Sequence, residues 1–143
     1  MDLFSPQKRS EIMSRIKSKG NASTEIKFET LLNKFNITGW EKHLAIIGKP
    51  DFVFPSLKIA IFIDGAFWHG YKSSKLPEKN RIFWEKKINS NKKRDLKVTN
   101  SLRKQGWSVI RIWDFELRKK NEKNIIKRIK RMITIKLNGE KHD

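Results

Sequence analysis

The sequence predicts a single α/β domain, a β-sheet flanked by helices. Three observations lead there. Its 143 residues fit one domain with a real core and leave little room for an independent second one. Apolar runs of strand length recur at Phe52-Val53-Phe54, at Ile59-Ala60-Ile61-Phe62-Ile63 and from Trp107 to Trp113. Amphipathic helical spacing lies before, between and after them, so the order is strand, strand, helix, strand, with a helix at either end.

Ser5-Pro6 starts the first helix, a cap residue followed by proline at the first helical position. Ile12, Met13 and Ile16 stand among Lys8, Arg9, Arg15 and Lys17, and the pattern stops near Gly20. So few apolar residues bind weakly to a core. Residues 1–20 read as a basic arm that orders on a partner, or as a plain surface helix. Ser23 opens a second helix, with Glu25 in its first turn, where the helix dipole favours a carboxylate. Phe28, Leu31, Leu32 and Phe35 form one apolar stripe, which predicts docking on the sheet. Asn36 and Gly39 end that helix, and Trp40 to Ile47 reads as a strand or half of a hairpin of open register.

Pro50 disfavours helix, so Asp51 stands at the mouth of the strand Phe52-Val53-Phe54. After a turn at Pro55-Ser56, Ile59 to Ile63 is apolar at every residue, as in a strand covered on both faces. The run ends at Asp64-Gly65, and His69 follows. Neighbouring strands would bring the acid at the start of one close to the end of the other, with an imidazole on the loop beyond. One carboxylate, a strand-end carbonyl and a histidine make a minimal site for a hard divalent cation and a base that activates water. An Asp after Pro is also an ordinary turn residue, and a lone His is commonly structural. The block Asp64-Gly65-Ala66-Phe67-Trp68-His69 favours the site, because adjacent large aromatics on extended chain point opposite ways and are hard to bury together. At least one of them faces solvent or a partner.

Tyr71 to Asn80 is polar and reads as a loop. A long helix from Arg81 to Gln105 follows, with Gly106 as its C-terminal cap. Ile88, Asp95 and Leu102 share a face with Asn91 and Val98. A carboxylate in such a stripe needs a partner to offset its desolvation. An imidazole beneath the sheet edge would make Asp95 the orienting acid for His69; a solvated helix position is the alternative. The strand Trp107 to Trp113 ends in Asp114, and the most basic segment, Arg118 to Lys136, carries Ile125, Ile129, Met132 and Ile133 at helical spacing. Its apolar edge packs on the core with Lys and Arg outward. This divides the chain into an arm (1–20), a core (21–120) and a basic C-terminal helix and tail (121–143).

Lys and Arg number 33 against 15 acids, a formal net charge of +18. Such an excess predicts a polyanionic partner, with nucleic acid the default. No apolar run is long enough to span a membrane, and no signal peptide is evident. Cysteine is absent, which excludes disulfides and thiolate-held zinc or iron–sulfur centres. A cytoplasmic protein is expected.

From Arg9 to Arg118 the chain resembles the Vsr-type very short patch repair endonucleases, within the restriction-endonuclease-like PD-(D/E)xK nucleases. The matching residues are Arg9-Ser10 with Met13 and Ile16, Glu25, Gly48-Lys49-Pro50-Asp51-Phe52-Val53-Phe54, Asp64-Gly65 with Phe67-Trp68-His69, and Phe83-Trp84. They continue with Lys87-Ile88 and Asn91, Arg94-Asp95, Gly106-Trp107 and Ile112-Trp113. The resemblance implies a restriction-endonuclease-like core, with a central mixed β-sheet flanked by helices in a single α/β domain. It implies a Mg²⁺-dependent endonuclease that nicks one strand of double-stranded DNA beside a T:G mismatch. Asp51 would ligate Mg²⁺ with the main-chain carbonyl of Ile63, His69 would be the general base, Asp95 would hold its other ring nitrogen, and Glu25 would bind metal-coordinated water. Phe67, Trp68 and Trp84 would form a wedge beside the mismatch, with Met13 entering from the other groove. A mismatched pair is cheaper to unstack than a matched one, which an aromatic wedge converts into selectivity. A monomer and a MutL-like repair partner are further expectations.

The chain departs from the family around the loop after His69. Typical members hold a structural zinc there with Cys and His; Ala66 and Gly70-Tyr71-Lys72-Ser73-Ser74 stand here, and that zinc is expected to be absent. Ala22 replaces the usual threonine, and Ile46-Ile47 the usual Leu-Pro. Two other readings therefore stand beside the mismatch endonuclease. One is a Vsr-like restriction or homing endonuclease that cuts a specific sequence without a mismatch; the other is a non-catalytic DNA-binding protein.

Overall fold

A computed structural model describes residues 24–65 and 78–141. Met13, Phe67, Trp68 and His69, together with the arm 1–20, lie outside the described residues. Helix α1 covers 24–34. Strands β1 (Glu41–Lys42), β2 (Phe52–Phe54) and β3 (Ile59–Asp64) follow, then helix α2 (Arg81–Lys104), strand β4 (Ser108–Trp113) and helix α3 (Glu122–Lys141). The sheet has the order β1-β2-β3-β4. The first three strands are antiparallel and β3 pairs in parallel with β4, so the sheet is mixed, with helices on both faces. The chain is thus one α/β domain, consistent with the restriction-endonuclease-like fold.

Alternation along the strands builds two cores. Phe52, Phe54, Ile59, Ile61, Ile110 and Ile112 face α1 and α3, meeting Phe28, Leu32, Ile125 and Ile129. Val53, Ala60 and Phe62 face α2, where they meet Leu102, Val98 and Trp107. β3 lies between both layers, and its residues 59–61 are fully buried. This is why every residue from Ile59 to Ile63 is apolar: neither face meets water.

Helix α2 ends as its sequence dictates. Gly106 takes a left-handed φ of 90°. Its N–H donates to the Arg103 carbonyl at 3.1 Å, and the Trp107 N–H donates to the Leu102 carbonyl at 3.0 Å. This is a Schellman closure, and Trp107 and Leu102 share the apolar cluster that accompanies it. The chain then turns directly into β4.

The segment Trp40 to Ile47 is a strand for only two residues: the His43 N–H still donates to the Asp51 carbonyl at 3.4 Å, but its left-handed φ of 56° turns the chain away from the sheet. Leu44 and Ile46 instead pack into the α2-side cluster. Gly48 has a φ of 79°, and a Cβ there would collide with the Val98 side chain of α2. Glycine thus lets the chain pass close beneath α2 immediately before Pro50 and Asp51. At the far edge, β4 is the last of the described strands, and Arg128 of α3 donates to its Arg111 carbonyl at 3.1 Å. Among the described residues no helix is long and apolar enough to cross a membrane.

Substituting Gly48→Ala combines a side chain at positive φ with an overlap against Val98. It is expected to lower the unfolding free energy by about 2–4 kcal/mol in urea titration. A change below about 0.5 kcal/mol would show that the approach to α2 is slack.

Candidate active site

Antiparallel pairing fixes the first part of the site. With Phe52 opposite Ile61, the residue before Phe52 falls beside the end of β3. The Asp51 N–H donates to the Ile61 carbonyl at 3.0 Å, and the Ile63 N–H donates to Asp51 Oδ2 at 2.7 Å. Asp51 and Ile63, twelve residues apart in sequence, are therefore bonded neighbours. Pro50, fully buried, holds the approach to this strand.

Helix α1 supplies the second part. Phe28 packs on Phe52 with ring centroids 4.7 Å apart, which sets the start of α1 over the start of β2. Glu25, one turn before Phe28, then reaches His43, whose Nε2 lies 3.1 Å from Oε1 and 3.2 Å from Oε2. Burial pushes the Asp51 carboxyl above its ordinary range, although the Ile63 N–H favours the charged form. The Glu25 and Asp64 carboxylates push it further up, and His43 opposes them. Acids of α1 and β3 thus act on Asp51, which immediately precedes β2, at one end of the sheet.

The third part lies between the sheet and α2. Asp64, buried at the end of β3, accepts from Arg111 Nη1 through both oxygens, at 3.0 and 3.1 Å. Asp95 on α2 is partly buried, with Oδ1 3.9 Å from the same nitrogen. Asp64, Asp95, Arg111, Lys92 and Trp113 line an open cavity of about 230 Å³. Along α2, Arg94 Nη2 donates to the buried Asn91 side chain at 2.8 Å. Trp84 is 3% exposed, with its ring edge-on to Phe83 at 5.0 Å.

The structure therefore brings Asp51 and Ile63 together and sets Glu25 within the electrostatic reach of Asp51. It places Asp95 across Arg111 from Asp64, and it covers Trp84 in the free chain. Among the described residues no three His, Asp or Glu side chains close into a metal site. The donors nonetheless suit a hard cation: Asp51 is a half-buried carboxylate whose ionisation is opposed by burial and by two neighbouring acids, and a divalent ion would relieve all three costs.

Sequence reasoning did not single out His43, Asp64 or Arg111 as site residues. For Arg111 a signal existed, since a guanidinium inside the apolar run Val109 to Trp113 of a covered strand requires a buried acid. For His43 there was none, because its contact with Glu25 depends on the left-handed turn that breaks β1.

The pattern of the family described as DNA mismatch endonuclease Vsr matches residues 1–75. A type II nicking enzyme of Neisseria meningitidis serogroup C is 39% identical over 116 residues, covering 79% of this chain and 78% of that protein. Another, from Neisseria meningitidis serogroup A, is 38% identical over 125 residues, covering 83% and 86%. The DNA mismatch endonuclease Vsr of Escherichia coli strain K12 is 30% identical over 119 residues, covering 82% of this chain and 76% of its own. With likeness over four-fifths of its length, the chain belongs to the Vsr family of DNA endonucleases.

Proposed function

We propose that this endonuclease nicks one strand of double-stranded DNA beside a T:G mismatch and requires Mg²⁺. The observation that carries the reading is the Asp51 carboxylate bonded to the end of β3, in the field of Glu25 and Asp64. The similarity to a protein named as a mismatch endonuclease supports the substrate.

In this reading Asp51 and the Ile63 carbonyl would hold the ion, and the Ile63 N–H holds the carboxylate through Oδ2. When bound, Mg²⁺ supplies charge neutralisation at the scissile phosphate. His69 takes the proton of the attacking water, Asp95 holds the other ring nitrogen of His69, and Glu25 orients water near the ion. Phe67 and Trp68 enter the duplex beside the mismatch. Trp84, 3% exposed in the free chain, completes the wedge once uncovered, while Met13 approaches from the other groove. Lys127, Lys130 and Arg131, all exposed on α3, neutralise phosphates. A second reading, cleavage of a specific sequence without a mismatch, is favoured by relatives named type II nicking enzymes.

Incubation with labelled T:G and T:A duplexes in Mg²⁺ decides between these readings: nicking of the T:G duplex alone is expected, and equal cutting of both ends the mismatch claim. Asp51→Ala should abolish nicking and leave DNA binding in place.

Trp68→Ala should reduce T:G over T:A discrimination at least tenfold with little change in overall DNA affinity. Neutralising Lys127, Lys130 and Arg131 should do the reverse, making the slope of log affinity against log salt shallower by about 0.9 for each phosphate no longer neutralised. Equal effects of both changes on both duplexes would refute this division of roles.

Without metal, Asp51→Asn should be more stable than the wild type at neutral pH. The raised carboxyl makes the folded state bind its proton more tightly than the unfolded chain does. Stability from this group is therefore full in acid and lost as pH rises through its folded value. The advantage of Asn should vanish in acid, where Asp51 is protonated in both states. Thermal unfolding across pH measures this, and a less stable Asn variant at neutral pH would contradict it.

A further inference from the structure

Arg111 bonds to three residues of two different elements. It stands in β4 opposite Phe62, and its guanidinium lies 4.2 Å over that ring. Nη1 donates to both oxygens of Asp64, Nε donates to Thr99 Oγ1 at 2.9 Å, and Nη2 donates to the Asp95 main-chain carbonyl at 3.2 Å. One planar group thus joins the end of β3 to two successive turns of α2. A buried ion pair of this kind is often replaceable by apolar side chains without loss of stability. Its rigid fork fixes relative position instead.

Among the described residues, Val98 and Leu102 in the C-terminal half of α2 join the apolar cluster under the sheet, and Trp84 and Ile88 in its N-terminal half are buried as well. Asp95 lies beyond Val98, toward the N-terminal half of the helix, where Arg111 reaches both its carbonyl and its carboxylate. Asp64 in turn follows Ile63, the partner of Asp51. The guanidinium therefore ties the backbone at the helix carboxylate to the strand that ends beside the Asp51–Ile63 pair.

We infer that Arg111 is a positioning residue of the nuclease, holding Asp95 in register with the strand-end site through Asp64 and Thr99. The inference rests on the reading in which Asp51 and Asp95 serve the reaction. Lysine at this position would still meet the Asp64 charge but could not reproduce the fork, which separates position from charge.

Steady-state nicking and thermal unfolding of Arg111→Lys, Arg111→Met and Thr99→Val, on the duplex that the wild type nicks, test it. Displacing a reacting group by about 1 Å can lower a rate about 100-fold, so Arg111→Lys should stay folded at the assay temperature with kcat down about 10- to 100-fold. KM for DNA should change less than about twofold, and Thr99→Val should show a smaller kcat loss of the same kind. A purely structural ion pair predicts full kcat in every variant that is folded. Where Arg111→Met fails to fold, the other two decide. Asp95→Ala is the control: if it is inactive while Arg111→Lys and Thr99→Val keep kcat within about twofold of wild type, this inference alone falls. Full activity in Asp95→Ala overturns the catalytic reading of Asp95 and this inference together.

Discussion

The hydrogen bonding of β3 on both its edges is the constraint from which the rest follows. Antiparallel to β2 and parallel to β4, this strand brings the start of β2 and the ends of β3 and β4 to one margin of the sheet. Asp51, Asp64 and Trp113 meet there because of register, not because of proximity in sequence. With both faces of the strand in apolar contact, slipping by a single residue would turn Ile59, Ile61 and Ile63 into the α2 layer and Phe62 out of it. Large apolar side chains on both sides thus hold the polar end in place.

The two strand-end acids receive opposite treatment. Asp64 is neutralised at contact distance by a guanidinium that meets both its oxygens. Asp51 accepts from a main-chain N–H and stands in the field of two other carboxylates. One acid is thereby paired with Arg111, whereas the other is left under-compensated. Environments that drive like groups apart mark functional sites more reliably than the groups themselves.

Much of this is legible in the sequence. β2, β3 and β4 announce themselves as apolar runs, the α1 stripe from Phe28 to Phe35 docks as its spacing requires, and Gly106 closes α2. The adjacency of Asp51 and Ile63 follows from two short strands joined by a tight turn, since so few registers are open to them. β1 is shorter than the residues from Trp40 to Ile47 suggest, because nothing in that stretch signals the left-handed turn at His43. The contact between Glu25 and His43, and the reach of Arg111 to Thr99 and Asp95, are long-range contacts set by how helices lie across the sheet, and local pattern does not encode them.

Among the described residues β4 lies at the edge of the sheet, which carries a wider implication. A strand at the margin of a sheet is a template on which a second copy can add its own strand. Here the carbonyl of Arg111 is occupied by a guanidinium from α3, which lays positive charge along that margin in a chain that carries a net charge of +18. Like charge of this kind opposes the approach of a second such margin, the same excess that suits the chain to a polyanion.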